Sequence, residues 1–163
     1  MKKLILATSN PGKIKELQEM LGGHYSVISQ TDMAIEEVPE NGLSFVENAL
    51  IKARNASQKS GLAAIADDSG IVVNALNGEP GIYSARYAGE GATDSENVTK
   101  LLSEMKNLSG KDRKASFWCA IVLARYPDDP TPLIIQRSWE GIIALKVRGK
   151  NGFGYDPVFY LSE

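Results

Sequence analysis

Thr8-Ser9-Asn10-Pro11-Gly12-Lys13 gathers small polar side chains, a bend and an ammonium group within six residues. The stretch follows the apolar run from Leu4 to Ala7 and opens the spacing Ile14, Leu17, Leu21, which reads as strand, tight loop, helix. A helix N-terminus presents unpaired N–H groups and about half a positive charge, a natural seat for phosphate. The same residues also suit an ordinary strand-to-helix turn broken by Asn-Pro-Gly. Ile14 follows Gly12-Lys13 where a Walker A motif needs Ser or Thr, which argues against a P-loop ATPase or GTPase.

Three further segments carry chemistry. Asp67-Asp68-Ser69-Gly70 sits between the apolar runs Ala64–Ala66 and Ile71–Leu76. Adjacent carboxylates repel unless a cation or hydrogen bonds offset the repulsion. Strand side chains alternate faces, so one aspartate would bind a metal or activate water while the other orients a neighbour. An Asp-rich turn is the plainer alternative. In Gly149-Lys150-Asn151-Gly152-Phe153-Gly154-Tyr155-Asp156-Pro157, an aromatic between glycines could stack on a flat ring, or fill the core beside a Gly-rich turn. Arg86, in the loop Pro80–Gly89, suits either a phosphate or a surface ion pair.

Composition narrows these options. One His (His24, read as a surface turn residue) and one Cys (Cys119, read as a reduced core residue) cannot build a zinc site or a supported nucleophilic triad. A metal here would be a hard cation on carboxylates and water, Mg²⁺ or Mn²⁺. A net charge of −2 leaves no basic surplus for nucleic acid. No run approaches the ~20 apolar residues of a membrane span, and Lys2-Lys3 with four apolar residues is too short for a signal peptide. A cytoplasmic location is the default.

The elements alternate first and then turn β-rich, a mixed α/β chain of 163 residues expected to form one domain. After the first strand and helix, residues 25–29 read as a strand. Ser44 with Glu47 gives capping-box spacing for a helix stopped by Gly61. On that helix Asn48 and Lys52 share a face. Glu47 suits a cap and a metal ligand equally. Short strands are expected at 64–66 and 71–76, a helix capped by Asp94 or Ser95 runs to about Leu108, and strands follow at 115–126, 133–139 and 141–147.

Together these segments resemble the inosine/xanthosine triphosphate pyrophosphatase family. The resemblance rests on Thr8, Asn10 and Lys13, on Glu40-Asn-Gly-Leu-Ser-Phe-Val-Glu-Asn-Ala49, on Ala66-Asp-Asp-Ser-Gly70, on Pro80-Gly-Ile-Tyr-Ser-Ala-Arg-Tyr87 and on Gly152-Phe-Gly-Tyr-Asp-Pro157. It implies an ITPase-like (Maf/Ham-type) α/β fold of two lobes around a mixed, twisted sheet with a cleft between them, and a homodimer. It implies Mg²⁺-dependent hydrolysis of ITP, dITP and XTP to monophosphate and pyrophosphate, which keeps these nucleotides out of DNA and RNA. By the match, Thr8, Ser9, Asn10, Pro11, Gly12 and Lys13 cradle the phosphates; from its helix face Lys52 is expected to add positive charge near them, and Arg86 is a further candidate for a phosphate contact. Asp68 accepts a proton and binds metal with Glu40, and Ser69 contacts substrate. Phe153 stacks on the purine, with Gly154, Tyr155 and Asp156 near its edge. Pro39 stands where some relatives carry a first acidic residue. The family's C-terminal Lys and Ser-His-Arg segment is absent, so truncation is expected, and with it poor discrimination of ITP from ATP. A catalytically impaired nucleotide-binding form is the alternative. The Gly-Phe-Gly-Tyr-Asp segment argues against the related Maf-type enzymes.

Overall fold

The computed structural model describes residues 1–149 and 152–161; Lys150 and Asn151 of the Gly-rich segment, Ser162 and Glu163 lie outside the described residues. The chain forms β1 (Lys2–Leu6), α1 (Pro11–Leu21), β2 (Tyr25–Ser29), α2 (Phe45–Ser60), β3 (Ala64–Val73), α3 (Asp94–Glu104), β4 (Lys114–Ala124), β5 (Leu133–Ile143) and β6 (Phe159–Leu161). The strands make one sheet in the order β2-β1-β3-β4-β5-β6. β1 pairs parallel with β2 and β3, and β5 pairs antiparallel with β6. The sheet is therefore mixed, as parallel β-α-β connections followed by longer antiparallel strands require.

Contacts divide the chain into two compact units. The first comprises Met1–Asp68 and Ala120–Gln136, the second Ser69–Cys119 and Arg137–Glu163. In the first, Ala49, Ala53 and Ala56 of α2 are fully buried with Ile5, Ala64 and Val122. Their spacing of four and three puts three small side chains on one helical face, so backbone packs close to strand. In the second, Leu101 and Met105 pack with Ile71, Val73, Ile143 and Val158. Buried Arg113 staples this core with four carbonyls, donating to Met105 and Leu108 O from Nη1, to Ile143 O from Nε and to Ala144 O from Nη2.

Several expectations need correction. Asp67-Asp68-Ser69-Gly70 is no junction, because β3 is one continuous ten-residue strand. Its aspartates are buried, where side-chain partners replace the water a turn would offer. The strands expected at 133–139 and 141–147 are one strand ending at Ile143, and β6 was not foreseen. Thr93, rather than Asp94 or Ser95, caps α3, in a reciprocal capping box with Glu96. Cys119 is only half-buried.

Candidate active site

Asn10 is the N-cap of α1, and its side-chain oxygen accepts from the N–H groups of Gly12 and Lys13. Pro11 follows as the first helical residue, where its missing N–H costs nothing. The N–H of Asn10 donates to Thr8 Oγ1. The free helix donors expected to cradle phosphate are thus held by the loop itself, and an anion arriving here must exchange with Asn10. Ser9 Oγ donates to a Glu37 carboxylate oxygen.

Charge in the first unit is organised by pairs. Lys13 Nζ lies 2.5 Å from Asp67 Oδ2. Lys52 Nζ lies 2.8 Å from Glu40 Oε1 and 3.7 Å from Asp68 Oδ1. Consecutive aspartates of β3 therefore meet lysines of different helices, as a strand's alternation demands. Asp67 Oδ1 is buried and receives no hydrogen bond. Burial pushes the Asp68 carboxyl above the usual carboxylate range; Lys52 pulls against the rise and Glu40 adds to it. Burial pulls the Lys52 ammonium down, yet Asp68 and Glu40 outweigh it and hold it above its ordinary value.

The loop before α2 fixes Glu40. Ser44 caps the helix, accepting from Glu47 N–H. Glu47 Oε2 in turn accepts from Leu43 N–H and Ser44 Oγ. Glu47 therefore fills the capping role, reaching one residue further back than the box predicts. Asn48, on the face it shares with Lys52, is fully buried and accepts from Gly42 N–H through Oδ1.

The other predicted residues belong to the second unit. Ser69 is half-buried on β3. Arg86 ends the 3₁₀ turn Gly81–Arg86, lies 3.5 Å from Glu90 and covers the Tyr83 ring, the surface ion-pair alternative. Phe153 is 48% exposed and lines a pocket of about 190 Å³ with Val98, Val147, Pro157 and the start of α3. Two carboxylates hold its loop. Asp156 Oδ2 accepts from Phe153 N–H, and Asp94 Oδ2 accepts from Gly154 N–H at 2.7 Å. Gly152 has φ of +88°, and any Cβ there would strike the Asp156 carboxylate. Tyr155 is not available to a base edge: it is buried, its hydroxyl donates to Ser84 O, and burial holds its phenol well above the ordinary range. Asp94 escapes the sequence reading as a positioning residue because an Asp opening a helix reads as its N-cap.

A family model for the Ham1 family matches residues 4–163. The dITP/XTP pyrophosphatase of Legionella pneumophila (strain Paris) is 57% identical over 163 residues, all of this chain and 84% of that protein. That of Photorhabdus laumondii is 51% identical over the whole chain and 83% of its own length. The solved structure of a HAM1 protein from Coxiella burnetii superposes with a TM-score of 0.93 at 48% identity, over 99% of this chain and 82% of that one. The Staphylococcus aureus Ham1 protein gives a TM-score of 0.86 at 42% identity, over 98% of this chain and 81% of that one. The family model spans all but the first three residues, and the chain belongs to the Ham1 family.

Proposed function

We propose that this chain hydrolyses deaminated purine nucleoside triphosphates (ITP, dITP and XTP) to the monophosphate and pyrophosphate. The observation that carries the reading is the pairing of Lys13 and Lys52 with Asp67, Asp68 and Glu40 beside the Asn10 loop. Cleaving a phosphoanhydride needs cations for the phosphate oxygens and a base for the attacking water. Two helix-borne ammonium groups and a buried carboxylate of raised pKa supply both. The names of the relatives, dITP/XTP pyrophosphatases, give the substrate class. Phe153, exposed on its loop, is read as the residue that stacks on the purine.

The reaction is read as Mg²⁺-dependent. The donor set fits a hard cation: the carboxylates are oxygen ligands, and Asp67 Oδ1 is buried without a donor. Among the described residues no group of three or more His, Cys, Asp or Glu is arranged to hold an ion unaided. That matches Mg²⁺ arriving with its triphosphate and using one or two carboxylates, here Asp68 and Glu40. When bound, the ion would neutralise charge developing on the phosphate oxygens. Asp68 then takes the proton of the attacking water, while Lys13 and Lys52 orient the phosphate chain.

The enzyme is read as cytoplasmic, and no described helix is long and apolar enough to cross a membrane. A homodimer is also proposed, because β5 leaves Ile134, Ile135, Trp139 and Ile142 exposed, apolar surface that a second copy could cover. Sedimentation should then give twice the chain mass.

The deciding experiment is pyrophosphate release from ITP, dITP, XTP, ATP and GTP with Mg²⁺ and with EDTA. Release from the deaminated nucleotides that EDTA abolishes supports the reading. Nucleotide binding without pyrophosphate release would replace it with a binding role.

A further inference from the structure

We infer that Lys52, and Lys13 on the neighbouring Asp67, act in the free protein as counter-ions that keep the carboxylates from binding a divalent cation before the triphosphate arrives. The inference rests on the proposed role of Glu40 and Asp68 as cation ligands.

Lys52 Nζ is within ion-pair reach of both carboxylates, at 2.8 Å from Glu40 and 3.7 Å from Asp68. Its side chain is only 17% exposed, so water screens the pair little. Lys13 treats Asp67 in the same way at 2.5 Å. A divalent ion bound to these oxygens would sit close to one or two ammonium groups, and like charges at that range repel strongly. Nor do the carboxylates form a ready three-ligand cage among the described residues. A triphosphate changes the balance, because its oxygens offer the ammonium groups another set of anions. Each lysine that turns to phosphate releases a carboxylate to the metal. Metal and nucleotide thus help each other through the same side chains, and the coupling must be reciprocal. While the site is empty of substrate, the two ammonium groups offset two of its three carboxylate charges, which eases the burial of two adjacent aspartates.

A lysine that serves only the phosphates makes a different forecast: its loss weakens the nucleotide and leaves binding of the metal alone unchanged. Here Lys52→Met should tighten binding of Mn²⁺ alone at least tenfold, measured by water-proton relaxation enhancement on metal-free protein, and weaken binding of a non-hydrolysable ITP analogue at least tenfold. Lys52→Arg keeps the charge and should bind Mn²⁺ alone as weakly as the parent. Lys13→Met, at a more exposed position on the first turn of α1, should give a smaller rise and remains informative if Lys52→Met does not fold. Unchanged or weaker Mn²⁺ binding in both Met variants overturns the inference. The cation reading is tested separately: with the analogue present, Asp68→Asn and Glu40→Gln should release Mn²⁺ from the parent protein. If they do while the Met variants show no gain, only the counter-ion role fails. If protein-bound Mn²⁺ is absent under every condition, both fall.

Discussion

Asp68 meets opposing demands. Burial favours its protonated form, and the proposed chemistry needs it ionised. Folding raises its pKa, so the folded state binds this proton more readily than the unfolded chain does. Ionised Asp68 therefore costs stability; the cost is absent below the unfolded pKa and grows as pH rises through the window up to the folded one. Asp68→Asn removes the charge and keeps the shape, while Lys52 retains Glu40 at 2.8 Å. The variant should lose Mg²⁺-dependent turnover, by a hundredfold or more on the order of general-base effects, with a melting temperature at neutral pH equal to or above the parent's. Turnover retained in Asp68→Asn but lost in Asp67→Asn would transfer the base to Asp67. The parent's kcat/KM should fall on the acid side at a higher pH than an ordinary carboxylate gives. Lys52→Met, by removing the cation that opposes the rise, should move that limb higher still. Lys13 belongs to the same scale: Lys13→Ala should raise KM for ITP more than it lowers kcat, and unchanged values of both would leave the loop at Thr8–Lys13 without a phosphate role.

Elements were legible where local chemistry decides them. The apolar run before Thr8, the Pro11 start of α1, and α2 between Ser44 and Gly61 could all be read from caps and periodicity. The two ends of β3 read as separate strands and their continuity did not, because a strand buried on both faces has no alternation and its Asp-Asp-Ser-Gly composition resembles a turn. The lysine partners of the aspartates were hidden for another reason. Asp67 and Lys13 are 54 residues apart, and no local rule reports which helix face meets a strand's carboxylate. The Phe153 loop shows the same limit, since its anchor on Asp94 spans 60 residues. This anchor gives a prediction about the element. Asp94→Ala frees the Gly154 N–H, at about 1 kcal/mol, and loosens the segment that carries Phe153. If Phe153 seats the base, KM for ITP should rise several-fold with kcat little changed, and hydrolysis of inorganic tripolyphosphate, if any, should be unaffected. An equal loss on both substrates would mean that Asp94 serves stability alone.

At the scale of the molecule, the two units share strands rather than a linker. β3 passes from the first to the second at Asp68–Ser69, β4 returns at Cys119–Ala120, and β5 crosses again at Gln136–Arg137. A backbone ladder interrupted in one half of a strand deprives the other half of its anchoring, so the units should unfold together. Arg113 offers a way to test this. Its guanidinium satisfies carbonyls of Met105, Leu108, Ile143 and Ala144 deep in the second core, with no carboxylate among them. Arg113→Met roughly keeps the volume and takes a donor from each of these carbonyls; Met105 O keeps the Leu108 N–H, and each acceptor left unpaired costs roughly 1–3 kcal/mol less whatever relaxation recovers. A loss of about 3 kcal/mol in urea unfolding is expected. Trp118 and Trp139 both lie in the second unit and report it by fluorescence. Amides of Ala49–Ala53 in α2 report the first by hydrogen exchange. Cooperative unfolding requires the α2 amides to lose the same free energy as the tryptophan transition, although Arg113 touches nothing in their core. Protection of α2 that stays at the parent level while the tryptophan signal weakens would show that the shared strands do not couple the two halves.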